Sequence, residues 1–111
     1  MIRYTLRGLG ATALLLGIIA PIEHVASAAD IRIEVKGLAF SPTEVTAHIG
    51  DAIEWVNDDF VAHTATARDG QWDVKLPPHA SGRTVVRSAG SVEYYCRVHP
   101  NMKAVITVEP K

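Results

Sequence analysis

The chain has a single cysteine, and two further metal-binding side chains follow it at equal steps. Cys96, His99 and Met102 lie within Tyr94-Tyr95-Cys96-Arg97-Val98-His99-Pro100-Asn101-Met102. A thiolate, an imidazole and a thioether are soft or borderline donors, poorly suited to magnesium or calcium. Sulfur favours Cu(I) and imidazole accepts Cu(II), so this set tolerates both oxidation states of copper. Ligands that suit both states need to move little when an electron arrives. A site filled by protein donors also leaves no open position for a substrate. The pattern therefore points to electron carriage more than to catalysis.

Taken singly, each residue has a duller explanation. A lone methionine is commonly core filler, and a lone cysteine is commonly a buried, inert thiol. Met102 is the only methionine after Met1, and its spacing from His99 repeats that of His99 from Cys96. The coincidence favours ligation. A helix would rotate the three side chains around its axis, and Pro100 lacks the N–H that a helix interior needs. Tyr94 and Tyr95 instead favour a strand running into Cys96, followed by a tight loop that wraps His99 and Met102 around one ion. The second imidazole of a His₂Cys set with a weak axial Met must come from elsewhere. His63 is the candidate, behind the acidic turn Asp58-Asp59. His48 reads as a mid-strand residue on a wet face, and His79 as a loop residue after Pro77-Pro78.

Residues 1–28 read as a cleaved signal peptide. Arg3 and Arg7 precede an uncharged apolar run over residues 8–20, Pro21 ends it, and Ala26-Ser27-Ala28 is a small-residue cleavage site. The run is short for a membrane span. Cleavage after Ala28 is expected, with Ala29 the alternative. The chain has no Arg-Arg pair, and no cysteine stands at the cleavage site, so neither a twin-arginine route nor lipidation is suggested. Residues 29–111 then form one small domain, which usually needs a disulfide, a metal or a partner as a staple. One cysteine cannot make an internal disulfide. A metal would account for both the thiol and the small core.

The rest of the sequence describes how such a loop is held. Helical periodicity is almost absent, whereas short period-2 runs recur. Ile31, Ile33 and Val35 alternate with charged residues. Strands are also expected over Val45 to Ile49, Ile53 to Asn57, Trp72 to Leu76, around Thr84 to Val86, Ser91 to Cys96 and Ala104 to Val108. Phe40-Ser41-Pro42 reads as a turn or edge element. Gly, Pro, Asn and Asp punctuate these runs, which is the pattern of an all-β sandwich of about seven to eight strands. With 11 Lys or Arg against 12 Asp or Glu, interspersed, no basic stripe suggests nucleic acid.

These elements together resemble the small blue-copper proteins of the cupredoxin superfamily, whose fold is a Greek-key β-sandwich. Phe40-Ser41-Pro42, Gly50-Asp51, Trp55-Val56-Asn57, His63 and Tyr95-Cys96 through Met102 follow the family's order over nearly the whole mature chain. The two-residue gaps in the Cys96 loop are similar to those of amicyanins; plastocyanin-like and pseudoazurin-like proteins have a longer gap before the Met. The resemblance implies His63, Cys96, His99 and Met102 as ligands of one type 1 copper ion. It also implies a second layer, in which Asn57 ties the His63 loop to the Cys96 loop and Thr64 or a backbone N–H donates to the sulfur. Ala62 departs from the pattern, since relatives often carry proline before this histidine. By the same resemblance the protein is a periplasmic, monomeric electron shuttle and not an enzyme. The His99 edge would emerge in an apolar patch of Val98, Pro100, Phe60, Ala62 and Pro77, with Arg97, Arg68 and Lys103 steering an acidic partner. Redox proteins, a dehydrogenase and a c-type cytochrome, are the donor and acceptor expected, without nucleic-acid binding or membrane insertion after cleavage. A copper carrier or storage protein is the alternative. An enzyme domain fits less well, because multicopper oxidases and nitrite reductases need further His clusters, and a metal-free adhesion sandwich would leave the cysteine loop unexplained.

Overall fold

The computed structural model describes residues 2–3, 8, 10–19, 21 and 27–111. The expected leader, with His24, lies partly outside the described residues. Within it, residues 10–19 carry no helix or strand, and Leu14, Leu15, Leu16, Ile18 and Ile19 are exposed. No helix among the described residues is long and apolar enough to cross a membrane.

From Asp30 onward the chain is built of strands: β1 (Asp30–Lys36), β2 (Ala39–Ser41), β3 (Glu44–His48), β4 (Ala52–Asn57), β5 (His63–Ala67), β6 (Asp73–Leu76), β7 (Ser81–Val85), β8 (Gly90–Tyr95) and β9 (Lys103–Glu109). One sheet has the order β2-β1-β4-β7 and the other β3-β9-β8-β5-β6. Both are mixed, because β1 pairs parallel with β4 and β3 parallel with β9, while the other pairs are antiparallel. The all-β sandwich is as expected, but nine strands among the described residues replace the expected seven to eight. Phe40 turns out to sit in the short edge strand β2. β5 is the strand that had no signal. Its sequence, His-Thr-Ala-Thr-Ala, lacks an apolar–polar alternation, because four of its five residues are buried.

The core forms where the alternating strands face each other. Ile33 and Val35 of β1, Ile53 and Trp55 of β4, Val92 and Tyr94 of β8, and Ala104, Ile106 and Val108 of β9 all point inward. Each large apolar side chain buried there contributes about 1.5–3 kcal/mol. Aromatic rings fill the middle: Trp55 lies 5.5 Å from Tyr94 and 6.2 Å from Trp72, and Phe40 meets Tyr94 edge-on at 4.8 Å. Burial of Tyr94 pushes its phenol up to about 12, so the ring stays neutral. This packed block forms a rigid base directly below Cys96, the residue after β8.

β7 of one sheet passes close to β6 of the other at Gly82. A Cβ there would lie 2.3 Å from Val74 Cγ1, 3.0 Å from Leu76 Cδ2 and 3.2 Å from the Lys75 carbonyl oxygen of β6. Only a hydrogen fits without displacing β6, the strand beside β5. Gly82→Ala is therefore expected to destabilise the protein by about 1–3 kcal/mol, the usual range for overpacking. Urea denaturation checks this; an unchanged midpoint would show that β6 and β7 have room to separate.

Candidate metal centre

β8 presents Val92 and Tyr94 to the core, and the next position on that face is Cys96, which is fully buried. β5 pairs antiparallel with β8 in the register Thr66 opposite Tyr95 and Ala67 opposite Tyr94. Extending that register toward the strand ends sets Ala65 opposite Cys96 and Thr64 opposite Arg97, and His63, two residues before Ala65, falls on the same face as the cysteine. Two hydrogen bonds lock the approach. The Thr64 N–H donates to Cys96 Sγ at 3.3 Å, and the Arg97 N–H donates to Thr64 Oγ1 at 2.9 Å. The loop after Cys96 closes on itself: the Cys96 N–H donates to the Met102 carbonyl at 3.0 Å, and the Met102 N–H to the His99 carbonyl at 2.9 Å. Met102 is buried in the same cluster as Cys96. His99 is half-buried.

These constraints make three donor atoms converge. Cys96 Sγ lies 3.7 Å from His63 Nδ1 and 4.0 Å from His99 Nδ1, and the two Nδ1 atoms are 3.2 Å apart. Such spacings suit one ion bonded to each at about 2.0–2.3 Å. Met102, buried at the end of the same loop, is the candidate for a weak fourth ligand. His48 and His79 do not take part. His48 ends β3 with an exposed ring near Asp51 and Glu109, and His79 packs on Phe60 at 4.7 Å.

Asp59 prepares His63 for metal, and the sequence reading overlooked it. Its Oδ2 lies 2.8 Å from His63 Nε2. A carboxylate accepts, so Nε2 carries the proton and the lone pair of the neutral ring is on Nδ1, facing the cysteine. The same carboxylate accepts from the Gly37 N–H at 2.8 Å and the Leu38 N–H at 3.1 Å in the β1–β2 turn. Burial alone would raise the Asp59 pKa, but these amides and the His63 ring outweigh it and hold it below the ordinary value. A carboxylate four residues before a candidate imidazole was the available signal.

Asn57 does a different job from the one expected. It is fully buried, and its amide donates to the carbonyls of Val61 at 2.9 Å, Leu76 at 3.0 Å and Pro77 at 3.1 Å. Its Oδ1 accepts from the Asp59 N–H at 2.9 Å. It thus shapes the β4–β5 loop against the end of β6 and not against the Cys96 loop, which Thr64 holds instead. Two of the three surface cations expected to steer a partner have acidic neighbours of their own. Arg97 pairs with Asp73 at 3.1 Å and Arg68 with Glu93 at 3.0 Å.

The sequence matches the cupredoxin-like domain over residues 9–108, nearly the full chain. The protein belongs to the cupredoxin-like family. Methylamine utilization protein MauL of Methylorubrum extorquens is 30% identical over 90 residues, covering 78% of this chain and 79% of the relative. Amicyanin-alpha of the same organism is 27% identical over 103 residues, covering 87% and 86%. Among solved structures, the Cu-containing nitrite reductase of Thermus scotoductus aligns with a TM-score of 0.66 and 26% identity over 72% of this chain. The chain spans only 22% of that enzyme's length. His63, Cys96, His99 and Met102 are arranged as in a type 1 copper site, and this cupredoxin's cofactor is one copper ion. Family membership makes it, in the broad sense, a copper electron-transfer protein.

The Asp59 geometry has a measurable consequence. Asp59→Asn is expected to weaken copper binding by roughly 10–100-fold, the range seen when a ligand's supporting partner is lost. Competition with a calibrated copper chelator measures this. Wild-type affinity in the variant would mean that the ring is oriented by packing alone.

Proposed function

We propose that the protein is a periplasmic electron carrier in which His63, Cys96, His99 and Met102 ligate a single copper ion. The observation that carries the proposal is the convergence of Cys96 Sγ with the two imidazole Nδ1 atoms at 3.2–4.0 Å inside a rigid, largely buried pocket. Bound copper supplies a one-electron Cu(II)/Cu(I) couple. The chain's own residues keep the cost of using that couple low. Asp59 fixes the His63 tautomer, the Thr64 N–H donates to the sulfur, and two backbone bonds hold Cys96 and His99 to Met102. Donors held this firmly rearrange little between oxidation states. The hydrogen bond to sulfur and the dry surroundings also tune the potential.

Electrons would pass through His99, the ligand that reaches the surface. Beside it the structure exposes Leu38 (51%), Val98 (56%) and Pro100, and exposed Ala62 and Pro77 adjoin Val98 near His63; Phe60 (87%) is exposed two residues before Ala62. Small apolar patches suit the brief, weak encounters of redox partners. The likeness to MauL and amicyanin-alpha supports a donor in methylamine oxidation, with a c-type cytochrome as acceptor. Residues 1–28 serve as the export signal, and residues 29–111 form the carrier.

Cys96→Ser is expected to remove nearly all of the intense visible absorption of the copper-loaded protein, and Met102→Leu to retain copper while shifting its potential. Visible and EPR spectroscopy with voltammetry read both changes. An unchanged spectrum in Cys96→Ser refutes the ligand set, and rapid transfer of Cu(I) to an acceptor without reversible voltammetry would favour a copper carrier.

A further inference from the structure

At the end of β4 away from the metal centre, Asp51 is only 6% exposed. Its Oδ2 accepts from the His48 N–H at 2.8 Å, and its Oδ1 from the Ala29 N–H at 2.9 Å. The His48 and Ala29 amides, with the His48 ring nearby, outweigh burial and lower the Asp51 pKa. Ala29 is held from its other side as well: its carbonyl accepts from the Ala52 N–H at 3.0 Å, and β1 begins at the next residue. Just upstream lies Ala26-Ser27-Ala28. Ser27, Ala28 and Ala29 are exposed and outside any strand. An internal amide nitrogen at this position makes one neutral donor. A chain terminus there would place a full positive charge on the same atom.

We propose that the chain is cut between Ala28 and Ala29, and that Asp51 is the receptor for the α-ammonium group so created. A leader peptidase hydrolyses the amide: the hydroxyl of water joins the Ala28 carbonyl carbon, the C–N bond breaks, and the nitrogen takes the remaining proton. The free α-amine, with an ordinary pKa of about 7.7–8.0, takes up one more at neutral pH. It starts 2.9 Å from Asp51 Oδ1, so a neutral hydrogen bond becomes a charge-assisted one. Processing thereby pins the start of β1 to the β3–β4 turn. Cleavage after Ala29 would instead remove both the donor to Asp51 Oδ1 and the acceptor used by Ala52. The neighbouring ionisable groups are His48, 4.0 Å from Asp51 Oδ2, Glu109, 3.4 Å from the His48 ring, and Lys111, which lines the same shallow cavity. Among the described side chains here, Asp51 is the anion in contact with Ala29.

The test uses the full chain expressed in an exporting bacterium and recovered with its own processing. Intact mass spectrometry is expected to give a protein beginning at Ala29; a start at Asp30, or retention of the leader, overturns the proposal. Pairing is then read by acetylation of the Ala29 α-amine at pH 7. A pKa raised by one unit leaves about tenfold less free amine, so labelling should be roughly tenfold slower in the folded protein than in urea. Asp51→Asn should restore most of that rate and leave Lys103 labelling unchanged. Equal rates in folded and urea-unfolded wild type overturn the pairing, and this comparison stands even if the variant does not fold. So does an Asp51→Asn variant that folds and labels as slowly as wild type.

Discussion

The site depends above all on the antiparallel register between β5 and β8. Tyr94 and Tyr95 face Ala67 and Thr66, and continuing that ladder sets Ala65 against Cys96 and Thr64 against Arg97, with His63 on the face of Ala65 and Cys96. One residue of slip would turn every side chain of a strand to the opposite face. His63 would then leave the cysteine, and the Thr64 N–H would miss the sulfur. The bonds from Thr64 N–H to Sγ and from Arg97 N–H to Thr64 Oγ1 extend the sheet ladder into the ligand loops. The metal centre is thus the open end of a sheet, continued by side-chain bonds where backbone pairing stops.

That end is stiffened from three directions. Below it, the Trp55–Trp72–Tyr94–Phe40 cluster leaves β8 little freedom to shift. To one side, Asn57 ties the β4–β5 loop to the Leu76 carbonyl at the end of β6 and to the Pro77 carbonyl. On the other, Asp59 joins the β1–β2 turn to the His63 ring. Buried polar groups are costly unless paired, and both Asn57 and Asp59 are paired several times over. Their bonds convert that burial into loop geometry. A carrier benefits because rigid donors need little rearrangement when charge arrives, whereas a site built to bind and release its metal would need ligands free to move.

The apolar surface around His99 follows from the same construction. The loop from Cys96 to Met102 is too short to bury its own Val98 and Pro100 once Cys96 and Met102 are committed to the interior. Phe60 and Leu38 project from two turns that Asp59 draws together. The pairing of Arg97 with Asp73 and of Arg68 with Glu93 leaves this face more apolar than a count of its basic residues suggests.

Much of this was legible in the residue order. Cys96, His99 and Met102 are neighbours along the chain, so their spacing alone announced a ligand loop, and alternating Ile, Val and Trp announced a sandwich. Local patterns encode these features because they depend on residues a few positions apart. β5 escaped notice because a strand buried on both faces and built from Thr and Ala has no alternation to read. The partnership of Asp59 with His63, the redirected role of Asn57 and the seating of Ala29 against Asp51 span loops or opposite ends of strands. The sequence by itself determined which side chains could bind copper and that strands would carry them. The sequence could nominate His63, but what brings it to the cysteine and holds it there came from the folded chain, because strand pairing across sequence gaps of about thirty residues depends on the whole core, not on any local run.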